Sequence, residues 1–111
     1  MQQNDKPVLV YSTFPTAEEA EAIAGMLIEQ HLAACVNILG PITSIYRWEG
    51  KVARDREVAV IVKTRSGLVD AAMAAVKERH SYANPALLVI PVEGGAAAYL
   101  GWLMDETQPP A

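Results

Sequence analysis

His80 stands in the stretch HSYANPALLV, where an imidazole, a phenol and an Asn-Pro turn signal precede an apolar run. A neutral imidazole is a ready metal ligand, whereas a histidine closing a helix suits the negative end of the helix dipole. Cys35 shares a strand side with Asn37. Its thiol is either a small core side chain or a group facing a polar pocket. Glu57 and Lys63 fall on one side of a strand, six residues apart. A lysine beside an apolar wall usually has a partner, so Lys63 is either half of an ion pair or a contact for an anion. Trp48, Tyr82 and Trp102 are large aromatic groups suited to anchoring an interface or lining a cleft.

Catalytic patterns are missing around these residues. The spacing suggests no Ser, His and acid arrangement, there is no glycine-rich phosphate loop between a strand and a helix, and CxxC zinc motifs are absent. Gly94-Gly95 reads as a turn, and the two histidines, His31 and His80, are far apart in sequence. A non-enzymatic protein is the expectation.

The 111 residues, 51% of them hydrophobic, suffice for one domain over residues 8–106, with flexible ends at 1–7 and 107–111. A net charge of -4 and scattered Lys and Arg argue against nucleic-acid binding. The polar start MQQNDKP and the short apolar runs argue against a leader or a membrane span. A single cysteine fits a reducing compartment. A cytoplasmic location is expected.

The elements that must position these side chains follow from periodicity. VLVYSTF (8–14) is rich in β-branched and aromatic residues and stops at Pro15. Thr16 followed by Glu19 is a capping-box signature, and Ala20, Ile23, Ala24, Leu27 and Ile28 continue at helical spacing to about His31. Residues 33–46 read as a strand broken at Gly40-Pro41, Glu49-Gly50-Lys51 as a turn, and 52–64 as a longer returning strand. Ser66 can cap a second helix whose apolar stripe is Val69, Ala72, Met73 and Val76. Residues 86–92 make a fourth strand, and Ala96, Tyr99, Leu100 and Leu103 a short closing helix.

The order predicts an α+β fold, a ferredoxin-like βαββαβ sandwich with both main helices on one face. In VAVIVK (58–63) both strand faces are largely apolar, yet helices cover only one. Strands of about 13 residues also reach about 43 Å, against about 22 Å for a helix of about 15 residues. The long β2–β3 hairpin must therefore overhang, and burial against other copies of the chain would cover it.

LAACVNI from Leu32, SIYRWEGK from Ser44, Glu57, Lys63-Thr64, the H.Y..P pattern from His80 to Pro85, and YLGW from Tyr99 resemble the CutA1 divalent-cation tolerance proteins. The likeness runs from about Val8 to Asp105 in the right order. It implies a homotrimer with interlocking hairpins, similar in architecture to the PII signalling proteins, and a role in tolerance of copper or other divalent metals. Family members proposed to bind copper use a first-strand thiol and a histidine pair. Ser12, Arg79 and His80 hold those places here, and Ala83 and Ala86 stand where the family's turn carries acids.

His80, Cys35 and Glu57 are the candidate metal residues, and direct metal binding needs His80 to converge with Cys35 or Glu57; no cofactor is required, and copper or another divalent cation is the expected ligand. Lys63, Trp48, Tyr82 and Trp102 are the candidate cleft residues of the alternative, a PII-like signalling or scaffold module that binds a small anion between subunits. The expected protein partner is the chain itself.

Overall fold

The computed structural model describes residues 5–108. Strand β1 (Pro7–Phe14) is followed by helix α1 (Ala17–Glu29) and the hairpin of β2 (Cys35–Trp48) and β3 (Lys51–Arg65). A 3₁₀ turn at Ser66–Leu68 leads into α2 (Val69–Arg79), then β4 (Leu88–Pro91) and α3 (Ala97–Glu106). The four strands form one antiparallel sheet in the order β2-β3-β1-β4, the ferredoxin-like arrangement that the element order predicts.

Alternation sorts the sheet into two faces. Val8, Val10, Val60 and Val62 point into a core with Ala20, Ile23, Met26 and Leu27 of α1 and Val69, Ala72 and Val76 of α2. The other face carries Leu9, Tyr11 and Thr13 of β1 opposite Lys63, Ile61 and Ala59 of β3. At its Lys63 end this second face meets α3, through Lys63 to Tyr99 and Arg65 to Thr107.

Local chemistry explains the element ends. Thr16 caps α1, its Oγ1 accepting the Glu19 N–H at 3.2 Å. The helix stops at Glu29, two residues before the expected His31, because His31 takes the left-handed conformation with φ 59°. The His31 and Leu32 N–H groups bond back to the Ile28 and Leu27 carbonyls, a helix-ending pattern in which glycine is usual and therefore easier to foresee. Ser66 does not cap α2; its hydroxyl accepts the Lys6 N–H at 3.0 Å and so joins the 3₁₀ turn to the N-terminal lead.

Of the ends expected to be flexible, residues 1–4 and 109–111 lie outside the described residues. Within the described remainder Asp5 pairs with Arg65 at 2.9 Å, Pro7 opens β1, and Thr107 is buried at the C-terminal cap of α3.

Two features shape the hairpin. Glu49 and Gly50 both take positive φ, 49° and 80°, as a two-residue turn matching strand twist requires. Between Leu39↔Ala59 and Ile42↔Glu57 the ladder gains one extra residue on β2, around Gly40-Pro41. A Cβ on Gly40 would lie 2.6 Å from Val58 Cγ1, so only glycine lets the strand pass. Before the bulge Cys35, Asn37 and Leu39 share the face of Lys63; beyond it Ser44, Tyr46 and Trp48 share the face of Glu57 and Asp55. From Glu57 to the tip the ribbon is two-stranded, since β1 pairs only with Val58–Arg65. The molecule is accordingly elongated, 47 × 26 × 23 Å.

Candidate functional site

His80 closes α2, its N–H bonded to the Val76 carbonyl at 2.9 Å. Its side chain is wholly buried and both ring nitrogens have partners. Nε2 lies 2.8 Å from the Thr13 carbonyl oxygen, and Nδ1 lies 3.0 Å from the Tyr82 N–H. A carbonyl can only accept and an N–H can only donate, so these partners assign the proton to Nε2 and the lone pair to Nδ1. The ring stacks on Phe14 at 4.3 Å and leans on Tyr82 at 4.9 Å. Glu19 adds to this corner by accepting the Ser81 N–H at 2.9 Å. His80 is thus a clasp that fixes the turn after α2 onto β1, with the Glu19 carboxylate oxygen 3.6 Å from its Nδ1.

Tyr82, so fixed, forms one wall of an open groove of about 1000 Å³ between that turn and the base of the hairpin. Its hydroxyl donates to Glu57 Oε2 at 2.8 Å. Tyr46, diagonally across the ribbon from Asp55, donates its hydroxyl to that carboxylate. Burial, then the hydrogen bond to Glu57, push the Tyr82 phenol well above its usual range, and the Asp55 carboxylate raises Tyr46. Both phenols therefore remain proton donors at neutral pH. Trp48 and Ile45 complete the hairpin wall, and Ala83 and Ala86 lie on the opposite side. The groove's acidic groups come from β3, while the positions where the resemblance expects acids hold alanines.

Cys35 and Lys63 lie at the other end of the sheet. They are directly paired across β2 and β3, six residues along β3 from Glu57, or about 20 Å at the usual rise. The Lys63 ammonium donates to the Tyr99 hydroxyl at 3.0 Å, and Asn37 Nδ2 approaches Cys35 Sγ at 3.9 Å. The Tyr99 hydroxyl, opposed by burial and helped by Cys35, raises the Lys63 pKa and keeps it charged. Trp102 packs near Tyr99, ring centres 5.5 Å apart.

The candidate residues therefore divide. Glu57, Tyr82 and Trp48 line one groove, with His80 behind its wall; Cys35, Lys63 and Trp102 belong to the α3 end. His80, Cys35 and Glu57 do not converge, and no group of three His, Cys, Asp or Glu side chains placed to hold a metal occurs among the described residues. Ser12, at the expected thiol position, points into the helix-covered core, its buried hydroxyl without a hydrogen-bond partner. Arg79 is an exposed residue at the end of α2. A transition-metal site inside one chain does not fit these residues. Lys63, expected either in an ion pair or at an anion, donates to the Tyr99 hydroxyl and stands beside Cys35. Tyr46, Asp55, Glu19 and Tyr99 were not singled out as site residues by the sequence; Glu19 pointed to capping, Tyr99 to the closing helix, and Tyr46 stood within the SIYRWEGK stretch.

A family model described as CutA1 divalent ion tolerance protein matches residues 8–106. The divalent-cation tolerance protein CutA of Archaeoglobus fulgidus is 49% identical over 98 residues, 88% of this chain and 94% of that protein. The rice chloroplastic protein CutA 1 is 45% identical over 101 residues, covering 91% of this chain but only 57% of its own length. Among solved structures, the periplasmic CutA of A. fulgidus superposes with a TM-score of 0.89 at 44% identity, over 92% of this chain and 99% of that one. CutA1 from Oryza sativa gives 0.90 at 44% identity, over 93% and 94%. No helix among the described residues is long and apolar enough to cross a membrane. With matching sequence over nearly its whole length and a superposable sheet order, this chain belongs to the CutA1 divalent ion tolerance family.

Proposed function

We propose that this protein serves divalent-cation tolerance as a cytoplasmic homotrimer, a binding and assembly module rather than an enzyme. The observation that carries the reading is the uncovered hairpin. Val52, Ile45 and Trp48 are 68%, 62% and 59% exposed on a ribbon that no other element of the chain covers, and Leu88 on the edge strand is 60% exposed. Apolar side chains are thus left in water on both faces of the ribbon, Trp48 on one and Ile45 and Val52 on the other, more than a monomer ordinarily exposes. Neighbouring copies would bury them, and the trimeric number is the one that the family resemblance implies.

The response to cations belongs, on this reading, to the assembled protein. The rings and amides around His80 serve packing, and the copper ligand set expected from the family does not form within one chain.

Light scattering on the eluting protein gives the first test: the expected mass is three times the 12.0 kDa chain. A folded 12.0 kDa species at micromolar concentration would sink the proposal. Calorimetry with copper and zinc on wild type and His80→Ala gives the second. The substitution should cost about 2–4 kcal/mol of stability by emptying a buried, fully bonded site, and leave any copper affinity within about twofold. A selective loss of copper binding in a variant that still assembles would restore His80 as a ligand and overturn this assignment.

A further inference from the structure

The overhanging ribbon has two faces of opposite charge. Ser44, Tyr46 and Trp48 lie with Asp55 and Glu57 on one, whereas Thr43, Ile45 and Arg47 lie with Arg56, Arg54 and Val52 on the other. The second face thus holds three arginines and no acid. Arg47 reaches only the Gly50 carbonyl, at 3.4 Å, and the exposed side chains of Arg54 and Arg56 have no partner among the described residues. The first face forms a wall of the groove, whose lining includes both carboxylates but no Lys, Arg or His. Asp55 and Glu57 each accept one tyrosine hydroxyl through one oxygen, and the second oxygen of each has no partner among the described residues. Lys51 shares their face but stands at the tip, four residues from Asp55, about 13 Å along the strand.

Assembly makes these charges consequential. Once neighbouring copies cover the ribbon the carboxylates lose water, and a buried charge without a counter-charge is costly. The groove receives none from its own chain. A guanidinium suits it, because the planar group can meet a carboxylate through two parallel hydrogen bonds and stack on an aromatic face. The rings of Tyr46, Trp48 and Tyr82 stand beside the acids. The arginine face has the matching need, since Ile45 and Val52 among its cations are 62% and 68% exposed. A polyanion would neutralise the arginines but leave the acids and the apolar side chains uncovered. Symmetry adds a second reason: a ring of three copies is joined by a heterologous contact, in which two different patches of each copy meet. The two faces of the ribbon are such a pair, and neither is complementary to itself.

We propose that the basic face of one copy's hairpin occupies the groove of the next, with Arg54 and Arg56 of the first paired to Asp55 and Glu57 of the second. The inference rests on the assembly proposed above and names the surfaces that it joins.

The assembly constant tests it, read from light scattering over a dilution series, or from urea-induced dissociation and unfolding where dilution does not separate the copies. Arg54→Ser with Arg56→Ser should weaken assembly by about tenfold or more, and so should Asp55→Asn with Glu57→Gln, whose amide oxygens still accept the tyrosine hydroxyls. Circular dichroism should be unchanged in the arginine pair, whose side chains touch no core residue. All four substitutions together should cost clearly less than the product of the two effects, because each pair removes the other's partner. Added sodium chloride should weaken the wild-type assembly and leave that of the fourfold variant nearly unchanged. Effects that simply multiply, or undiminished assembly in a folded variant of either pair, would overturn this contact while leaving the assembly itself standing. Retention of the assembled wild type on heparin, abolished by Arg54→Ser with Arg56→Ser, would show the basic face open to a polyanion and overturn it equally. A wild type that is a folded monomer would overturn both the contact and the assembly.

Discussion

Asp5 shows how much one carboxylate can organise. It receives the Arg65 guanidinium at 2.9 Å and the Gly67 N–H at 2.8 Å, while Arg65 also donates to Thr107. Burial pushes the Asp5 carboxyl up, but the Gly67 N–H and then Arg65 bring it down by more, so its folded pKa is lowered. A lowered value means the folded state binds the proton less readily than the unfolded chain. The stabilisation is present above about pH 4 and is lost as pH falls through the folded value. Asp5→Asn should therefore cost about 1–3 kcal/mol at pH 7, and the gap from wild type should close as denaturation is repeated toward pH 2. None of this was legible, because the partners lie some sixty positions away. His80 was half legible: its place at a helix end is written in the sequence, whereas its two partners, Thr13 O and Tyr82 N–H, exist only after folding.

Among the elements, β2 departs most from a local reading. Counting alternate residues from Cys35 through Asn37 and Leu39 leads to Thr43, Ile45 and Arg47. The extra residue at the bulge puts Ser44, Tyr46 and Trp48 there instead, so Tyr46 meets Asp55. Gly40-Pro41 advertised a break but not its phase. Gly40→Ala should destabilise the protein by about 1–3 kcal/mol through the clash with Val58. Val58→Ala in the same chain should recover part of that loss, giving a favourable coupling in a double-mutant cycle by urea denaturation. Independent, additive effects would show that the bulge is not held by this contact. The remaining elements were legible in kind from their apolar periods, as at α1 from Thr16 to Leu27, but not in every boundary: α1 ends at Glu29, Ser66 does not cap α2, and β4 is confined to Leu88–Pro91.

The sheet order and the two-layer core follow from element order and handedness, and they are what the structure contains. The distribution of the candidate residues was less legible, since alternation assigns Glu57 and Lys63 to one face without saying that they stand at opposite ends of it. If copies of the chain share their hairpins, melting and dissociation are coupled. The melting temperature should then rise with protein concentration, and calorimetric scans over a hundredfold dilution series would check it. A constant temperature with monomer present at the dilute end would refute the shared hairpin.

The three-ring column from Phe14 through His80 to Tyr82 also restricts how this chain can drift. Phe14 belongs to the tightly packed interior at 1% exposure, and Tyr82 borders the open groove. Interiors of that density pass small displacements along rather than absorbing them. Substitutions that resize the space under α1 and α2 would therefore be felt outside, in the tilt of the phenol and the carboxylate it holds, so that selection on the surface also polices the interior.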